Sequence, residues 1–250
     1  MNNSIIYALD FDGVICDSAV ETAITGWKCA GQIWNDMPGP VPPSQLIDQF
    51  RQVRPIIETG YEAILAMRLL HLGETTAAIY SDYAGKTQAL MQAAQVDAGD
   101  LKQRFGATRD AWIETALADW IDMNPLFSGI SERLQRLGQQ GIWYIITTKQ
   151  ERFVKQILKA NRIELPDAHI FGLDRNMSKQ EVLKKLLEKH SGQPIHFVED
   201  RLPTLLNVLK NDELADIKLI FALWGYNTDA DKGVAAQNPF VCQLLENFLA

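Results

Sequence analysis

The chain has 250 residues, with 24 Lys and Arg against 31 Asp and Glu, a formal net charge of −7. That balance argues against a nucleic-acid surface, which needs a basic face, and it obliges any anionic ligand to be met by local positive groups or by a cation. An apolar content of 47% is enough for a sizeable core, and the three scattered cysteines, Cys16, Cys29 and Cys242, predict reduced thiols and not a disulfide framework. No apolar run reaches the roughly 18 residues of a membrane span, and no signal peptide stands ahead of the first strand. The expectation is a soluble, cytoplasmic protein with neither a nucleic-acid nor a membrane partner; oligomeric state is left open.

The first predicted element is a strand. Ile5 to Leu9 is an uninterrupted apolar run of the kind found in strands buried on both faces of a parallel sheet. It ends in Asp10-Phe11-Asp12-Gly13, two carboxylates separated by one residue and followed by a glycine turn. Side chains two apart on an extended segment point the same way, so Asp10 and Asp12 can enter one pocket. Two like charges at about 4 Å repel by roughly 4 kcal/mol at an effective dielectric near 20, so the pair calls for a cation or a shared proton.

Residues 19–120 contain no convincing strand and carry helical patterns, an early one over about 19–35 and strong ones over Glu58–Leu72 and Arg109–Ile121. Between them, Pro38-Gly39-Pro40-Val41-Pro42-Pro43 cannot be helical. Trp27, Trp34, Trp112 and Trp120 are expected in the core of this segment. Arg51 and Arg54 flank what reads as the start of a helix containing Pro55; surface charge is the favoured reading, contact with an anionic substrate the other.

From about 125 onward short apolar runs alternate with helical patterns. Ile142–Thr147, Ile170–Gly172, Ile195–Val198 and Ile217–Leu223 read as strands, and Ile130–Gly138 and Ser178–His190 as helices. Such alternation predicts βαβ units and a parallel sheet. In open α/β sheets ligands bind beyond the carboxyl ends of the strands. Asp10 and Asp12, the Thr147-Thr148-Lys149 run, and the Glu199-Asp200 pair all fall on that edge, and Lys179 can reach it from a neighbouring helix start. Lys149 is expected to be the solvated start of a helix, and Lys184 and Lys185 to face solvent. Asp17 and Ser18 read equally well as caps of the following helix or as shapers of the site.

A carboxylate nucleophile, further carboxylates able to hold a metal, and a hydroxyl and lysine able to hold oxygens form a set suited to phosphoryl transfer. Rival phosphate chemistries fit poorly. Gly85-Lys86-Thr87 imitates the end of a P-loop, but Tyr80 stands where its leading glycine belongs, and no strand precedes it. The four histidines, His71, His169, His190 and His196, lack metal-ligand spacing.

With these residues in order, the chain resembles the haloacid dehalogenase superfamily, in the form of its phosphoglycolate phosphatases and β-phosphoglucomutases. Asp10-Phe11-Asp12-Gly13-Val14-Ile15-Cys16-Asp17-Ser18 matches its first motif, Thr147 the second, Lys179 the third and Glu199-Asp200 the fourth. The chain departs from the common pattern where Gln180 follows Lys179 in place of Pro, where Arg201 stands in place of a small Ser, and where Thr204 and Leu205 occupy positions that often carry a second acid.

The resemblance implies a doubly wound, Rossmann-like parallel-sheet core of residues 1–18 plus 121–250, with an all-helical cap inserted at 19–120. It implies Asp10 as nucleophile and Asp12 as general acid and base. Thr147 and Lys179 would be phosphate holders. Asp10, Asp12 (through its backbone carbonyl), Glu199 and Asp200 would form a Mg²⁺ site. Outside the matched motifs, Arg54 and Thr148 are the candidate substrate contacts. The implied activity is hydrolysis of a small phosphorylated metabolite through a phospho-aspartate. A phosphomutase of the same family and a catalytically inert binding protein are the alternatives.

Overall fold

The computed structural model describes residues 4–249, which form two compact units: residues 4–17 with 125–249, and residues 18–124. The first unit is built on a parallel sheet that has six strands among the described residues: β1 (Ile6–Leu9), β2 (Trp143–Ile146), β3 (Ile170–Phe171), β4 (Ile195–Glu199), β5 (Lys218–Ala222) and β6 (Val241–Gln243). Their order across the sheet is β3-β2-β1-β4-β5-β6, the doubly wound arrangement. Leu9 is paired with Ile145 on one side and Val198 on the other, so β1 ends level with its neighbours at the point where the strand order reverses. The sequence reading did not include β6. It is a three-residue edge strand with Val241 and Cys242 exposed, held by backbone pairing to β5, and it has no apolar run to announce it.

The helices of the second unit are α1 (Ala19–Ile33), α2 (Ser44–Val53), α3 (Glu62–His71), α4 (Thr76–Ser81), α5 (Tyr83–Ala94) and α6 (Ala98–Asp122). Trp27, Phe50, Ile64, Met67, Leu101 and Phe105 form its core, and Trp112 and Trp120 are also buried. Trp34 is only half-buried and packs against this core. The helix α6 starts at a capping box between Asp97 and Asp100 and breaks its helical geometry at Ala116 (φ −154°, ψ 60°). Pro55 does not lie inside a helix that begins near Arg51. Arg51 lies in the last turn of α2, which ends at Val53, and Arg54-Pro55-Ile56 is a 3-10 turn after it, because proline has no amide to continue the ladder. Gly85-Lys86-Thr87 lies inside α5, without the strand a P-loop requires.

The sheet is covered by α7 (Ile130–Gln140), α8 (Glu151–Ala160), α9 (Lys179–Lys189), α10 (Leu202–Leu209) and α11 (Asp229–Ala235). Val182, Leu183 and Leu186 of α9 and Leu202, Leu205 and Val208 of α10 join Ile6, Ala8, Tyr144, Ile146, Phe197, Leu219 and Phe221 in one core. Strands enclosed in this way are apolar along their length, as β2 shows with all four residues buried. No helix among the described residues is long and apolar enough to cross a membrane.

Candidate active site

The Asp10 amide donates to the Val198 carbonyl (2.9 Å), which carries the β1–β4 ladder one step beyond Leu9. Its carboxylate is thereby held at the carboxyl edge of the sheet, 6% exposed. The chain then reverses sharply. The Ile15 and Cys16 amides both donate to the Phe11 carbonyl at 2.9 Å, and Gly13 adopts a φ of +91°. A Cβ on Gly13 would stand 2.0 Å from Asp200 Oδ2, so both its conformation and its surroundings demand glycine.

The fourth strand delivers the other acids. Glu199 is the last residue of β4 and fully buried, and Asp200 follows it at 1% exposure. Ligand oxygens of Asp10, Glu199 and Asp200 lie within 4.8 Å of one another. Glu199 is engaged at both oxygens: Oε1 accepts from the amides of Asp200 (3.2 Å) and Arg201 (3.0 Å), and Oε2 accepts from Lys179 Nζ at 2.6 Å. Asp200 Oδ2 accepts from the Tyr226 amide at 2.6 Å.

Lys179 is the first residue of α9, whose start is set by a capping box between Ser178 and Glu181. From there its Nζ reaches Asp10 Oδ1 at 2.9 Å as well as Glu199. Burial alone would lower the pKa of this ammonium, but the two carboxylates outweigh burial and hold it above its ordinary value. Asp10 moves the other way: burial pushes its carboxyl up to about 7, Lys179 opposes the rise, and Glu199 and Asp12 add to it. Buried carboxylates thus outnumber the cations that face them.

Asp12 is not part of that three-acid group. Its carboxylate pairs with Lys149, Nζ to Oδ1 at 3.0 Å. This overturns the expectation that Lys149 is a solvated helix start: it is 3% exposed, and its ammonium ends against Asp12. Thr147 is 6% exposed just past β2, and its Oγ1 accepts from the Lys149 amide at 3.1 Å. Thr148 between them is half-buried. Lys184 pairs with Glu213, and Lys185 is exposed. Ser18 occupies the cap position of α1 without a side-chain cap bond, and Asp17 Oδ1 accepts from the Tyr226 hydroxyl at 3.0 Å.

Of the expected residues, Asp10, Asp12, Thr147, Thr148, Lys179, Glu199 and Asp200 belong to the α/β unit. Arg54 belongs to the helical unit, where it is buried and its Nη1 donates to the Ile57 carbonyl at 2.9 Å. The sequence reading missed Lys149 as a group of the cluster, and it missed the Tyr226 amide. The only signal for the latter was a run of polar-capable residues, Trp224-Gly225-Tyr226-Asn227, directly after a strand.

Three clustered carboxylates form an all-oxygen donor set, suited to a hard divalent cation and not to a thiophilic one. Such a cation would offset the burial that raises Asp10 and the repulsion from Glu199 that adds to it. The cluster therefore fits a metal site.

No protein-family model matches the chain, and no curated protein matches it. Solved structures do. A predicted phosphatase from Clostridium acetobutylicum is similar over 98% of this chain and 95% of its own at 17% identity, with a TM-score of 0.58. A haloacid dehalogenase-like family hydrolase from Streptococcus pneumoniae is similar over 98% and 94% at 17% identity, with a TM-score of 0.53. A predicted phosphoglycolate phosphatase from Haemophilus somnus is similar over 92% and 89% at 15% identity, with a TM-score of 0.55. At these identities the likeness is one of fold: the chain has the α/β fold of the haloacid dehalogenase-like hydrolases.

Proposed function

We propose that the protein is a Mg²⁺-dependent phosphatase that hydrolyses a small phosphorylated metabolite through a phospho-aspartate on Asp10. The observation that carries this reading is the Asp10 carboxylate at the strand end, 2.9 Å from Lys179 and grouped with Glu199 and Asp200. The names of the structural neighbours, phosphatases and hydrolases of the same fold, support it.

In this reading an Asp10 carboxylate oxygen attacks phosphorus and the bond from phosphorus to the leaving oxygen breaks. That oxygen takes its proton from the Asp12 carboxyl. In the second half Asp12, now a carboxylate, takes a proton from water as the water oxygen bonds to phosphorus. The acyl-phosphate bond breaks, releasing inorganic phosphate and restoring Asp10. Lys179 and the Thr147 hydroxyl hold the phosphoryl oxygens, and Glu199 holds Lys179 in place. Asp10, the Asp12 carbonyl, Asp200 and Glu199 would hold Mg²⁺, which when bound supplies charge neutralisation for the transferring group. By its place in the chain between β1 and β2, we assign the helical unit the choice of substrate. Three free cysteines fit a cytoplasmic setting.

The test is Asp10→Asn against a panel of phosphorylated metabolites with Mg²⁺, the products followed by phosphorus NMR. Wild type releases inorganic phosphate and the variant falls to background. Undiminished hydrolysis by the variant overturns the reading, and return of the phosphoryl group to substrate by wild type makes the protein a mutase.

A further inference from the structure

The loop between β5 and α11, Leu223–Thr228, has no part in the steps above, yet it is bonded to both places that carry the acids. Behind Asp10, Trp224 Nε1 donates to the Val14 carbonyl (3.1 Å) and the Tyr226 hydroxyl donates to Asp17. At the end of β4, the Tyr226 amide donates to Asp200 Oδ2, and Asn227 Nδ2 donates to the Asp200 carbonyl at 3.2 Å. The same Asn227 Nδ2 also donates to the Ala222 carbonyl at 2.9 Å, so one side chain bridges the end of β5 to the backbone after β4. Both partners are carbonyl oxygens, which settles the orientation of the amide.

Gly225 lets this loop approach. A Cβ there would stand 2.3 Å from Asp200 Cβ and 2.4 Å from the Gly13 carbonyl oxygen. The loop is itself braced. Thr228 caps α11 through a box with Asp231, and the Trp224 ring meets the fully buried Phe248 edge-on, centroids 5.3 Å apart. Arg133 in turn donates to the carbonyls of Leu245, Glu246 and Phe248.

We propose that Asn227, with Gly225 beside it, is a positioning residue that sets the rotation and place of Asp200 for divalent-cation binding. The inference rests on the metal-dependent reading given above. Committing Asp200 Oδ2 to an amide fixes the plane of the carboxylate, and Asn227 fixes the backbone from which that carboxylate projects. Partners of this kind, behind the ligating atoms, change metal affinity by roughly 10- to 100-fold when removed.

The experiment is calorimetric titration of Mg²⁺ into the metal-free full chain, with Mg²⁺-induced melting shifts as a second readout. Asn227→Ala should weaken Mg²⁺ binding by about 10- to 100-fold and shrink the melting shift at fixed Mg²⁺. Gly225→Ala, which drives a methyl into Asp200, should weaken it further. Ile220→Val, a buried change in β5, the strand that leads into this loop, lowers the melting temperature without moving Mg²⁺ affinity, which separates positioning from loss of stability. If Gly225→Ala does not fold, Asn227→Ala decides alone. An Asn227→Ala affinity within about twofold of wild type overturns the inference while leaving the metal site standing. Absence of any Mg²⁺ effect on wild type overturns the metal reading and this inference with it.

Discussion

Each unit of the molecule buries charge, and the two do it on different terms. In the helical unit Glu21, fully buried, takes two bonds from Arg109: Nε to Oε1 at 2.8 Å and Nη2 to Oε2 at 2.6 Å. Thr25 (2.6 Å) and Trp120 (3.2 Å) also donate to the same Oε1. The bidentate pairing of this carboxylate with a guanidinium ties α1 to α6. In the α/β unit Lys179 is shared between Asp10 and Glu199 with Asp200 beside them, and Asp10 is pushed up to about 7. A buried pair that balances holds helices together. A buried surplus of one sign opposes folding, and it calls for a ligand of the other sign.

The largest effect on stability should therefore come from breaking the balanced pair. Arg109→Met leaves Glu21 charged and buried and should cost about 3–5 kcal/mol in denaturant unfolding. The double change Arg109→Met with Glu21→Met should recover most of that loss, because a well-packed apolar pair of similar volume is often no worse than the ion pair. A double variant as unstable as the single one would mean that the packing of α1 on α6, and not charge balance, carries the effect.

The surplus should respond in the opposite direction. Asp10→Asn removes an ionised group that resists burial, so in metal-free buffer above pH 7 the variant should melt higher than wild type even as activity disappears. The sign follows from the direction of the shift. With a folded-state pKa raised to about 7 from an ordinary 3.8, Asp10 favours the folded state most below the lower value and loses that contribution as pH rises through the upper one. The gap between variant and wild type should thus be widest above pH 7 and close as pH falls toward 4. Mg²⁺ acts on the same surplus: at about a hundred times its dissociation constant it should add about 2.7 kcal/mol to wild type, and much less to Asp10→Asn. Melting curves across pH, with and without Mg²⁺, check both statements.

This contrast also explains which parts were legible in the sequence. The strands β1, β2, β4 and β5 announce themselves because burial on both faces keeps their runs mainly apolar, with His196 the one polar residue inside β4 and Lys218 exposed at the start of β5. Asp10, Lys179, Glu199 and Asp200 could be named because each sits at the end of a strand or the start of a helix. Lys149 could not. Whether a lysine after a strand is solvated or buried depends on a carboxylate arriving from elsewhere, and Asp12 is 137 residues away in sequence. The Tyr226 bond to Asp200 is made by a backbone amide, which no residue type reveals. The edge strand β6 was invisible for a related reason, since only its pairing with β5 makes it a strand.

The smallest expected effect is also the most direct comparison, because the same chemical change can be made in each unit. Thr25→Val and Thr147→Val both replace a buried hydroxyl with a methyl at nearly constant shape. Thr25 donates to the Glu21 carboxylate at 2.6 Å, and a bond to a charged partner contributes about 1.5–3 kcal/mol, so Thr25→Val should lose that much stability and no turnover. The Thr147 hydroxyl accepts from the Lys149 amide at 3.1 Å, and its proton is reserved in our reading for a phosphoryl oxygen. Thr147→Val should therefore lose about 10- to 150-fold in kcat/KM, the rate equivalent of such a bond. Its stability should fall by no more than the roughly 1 kcal/mol of a neutral one. If Thr25→Val lost turnover at full stability, the helical network would be part of the chemistry. If Thr147→Val lost stability at full turnover, the hydroxyl at the end of β2 would be a structural group like its counterpart.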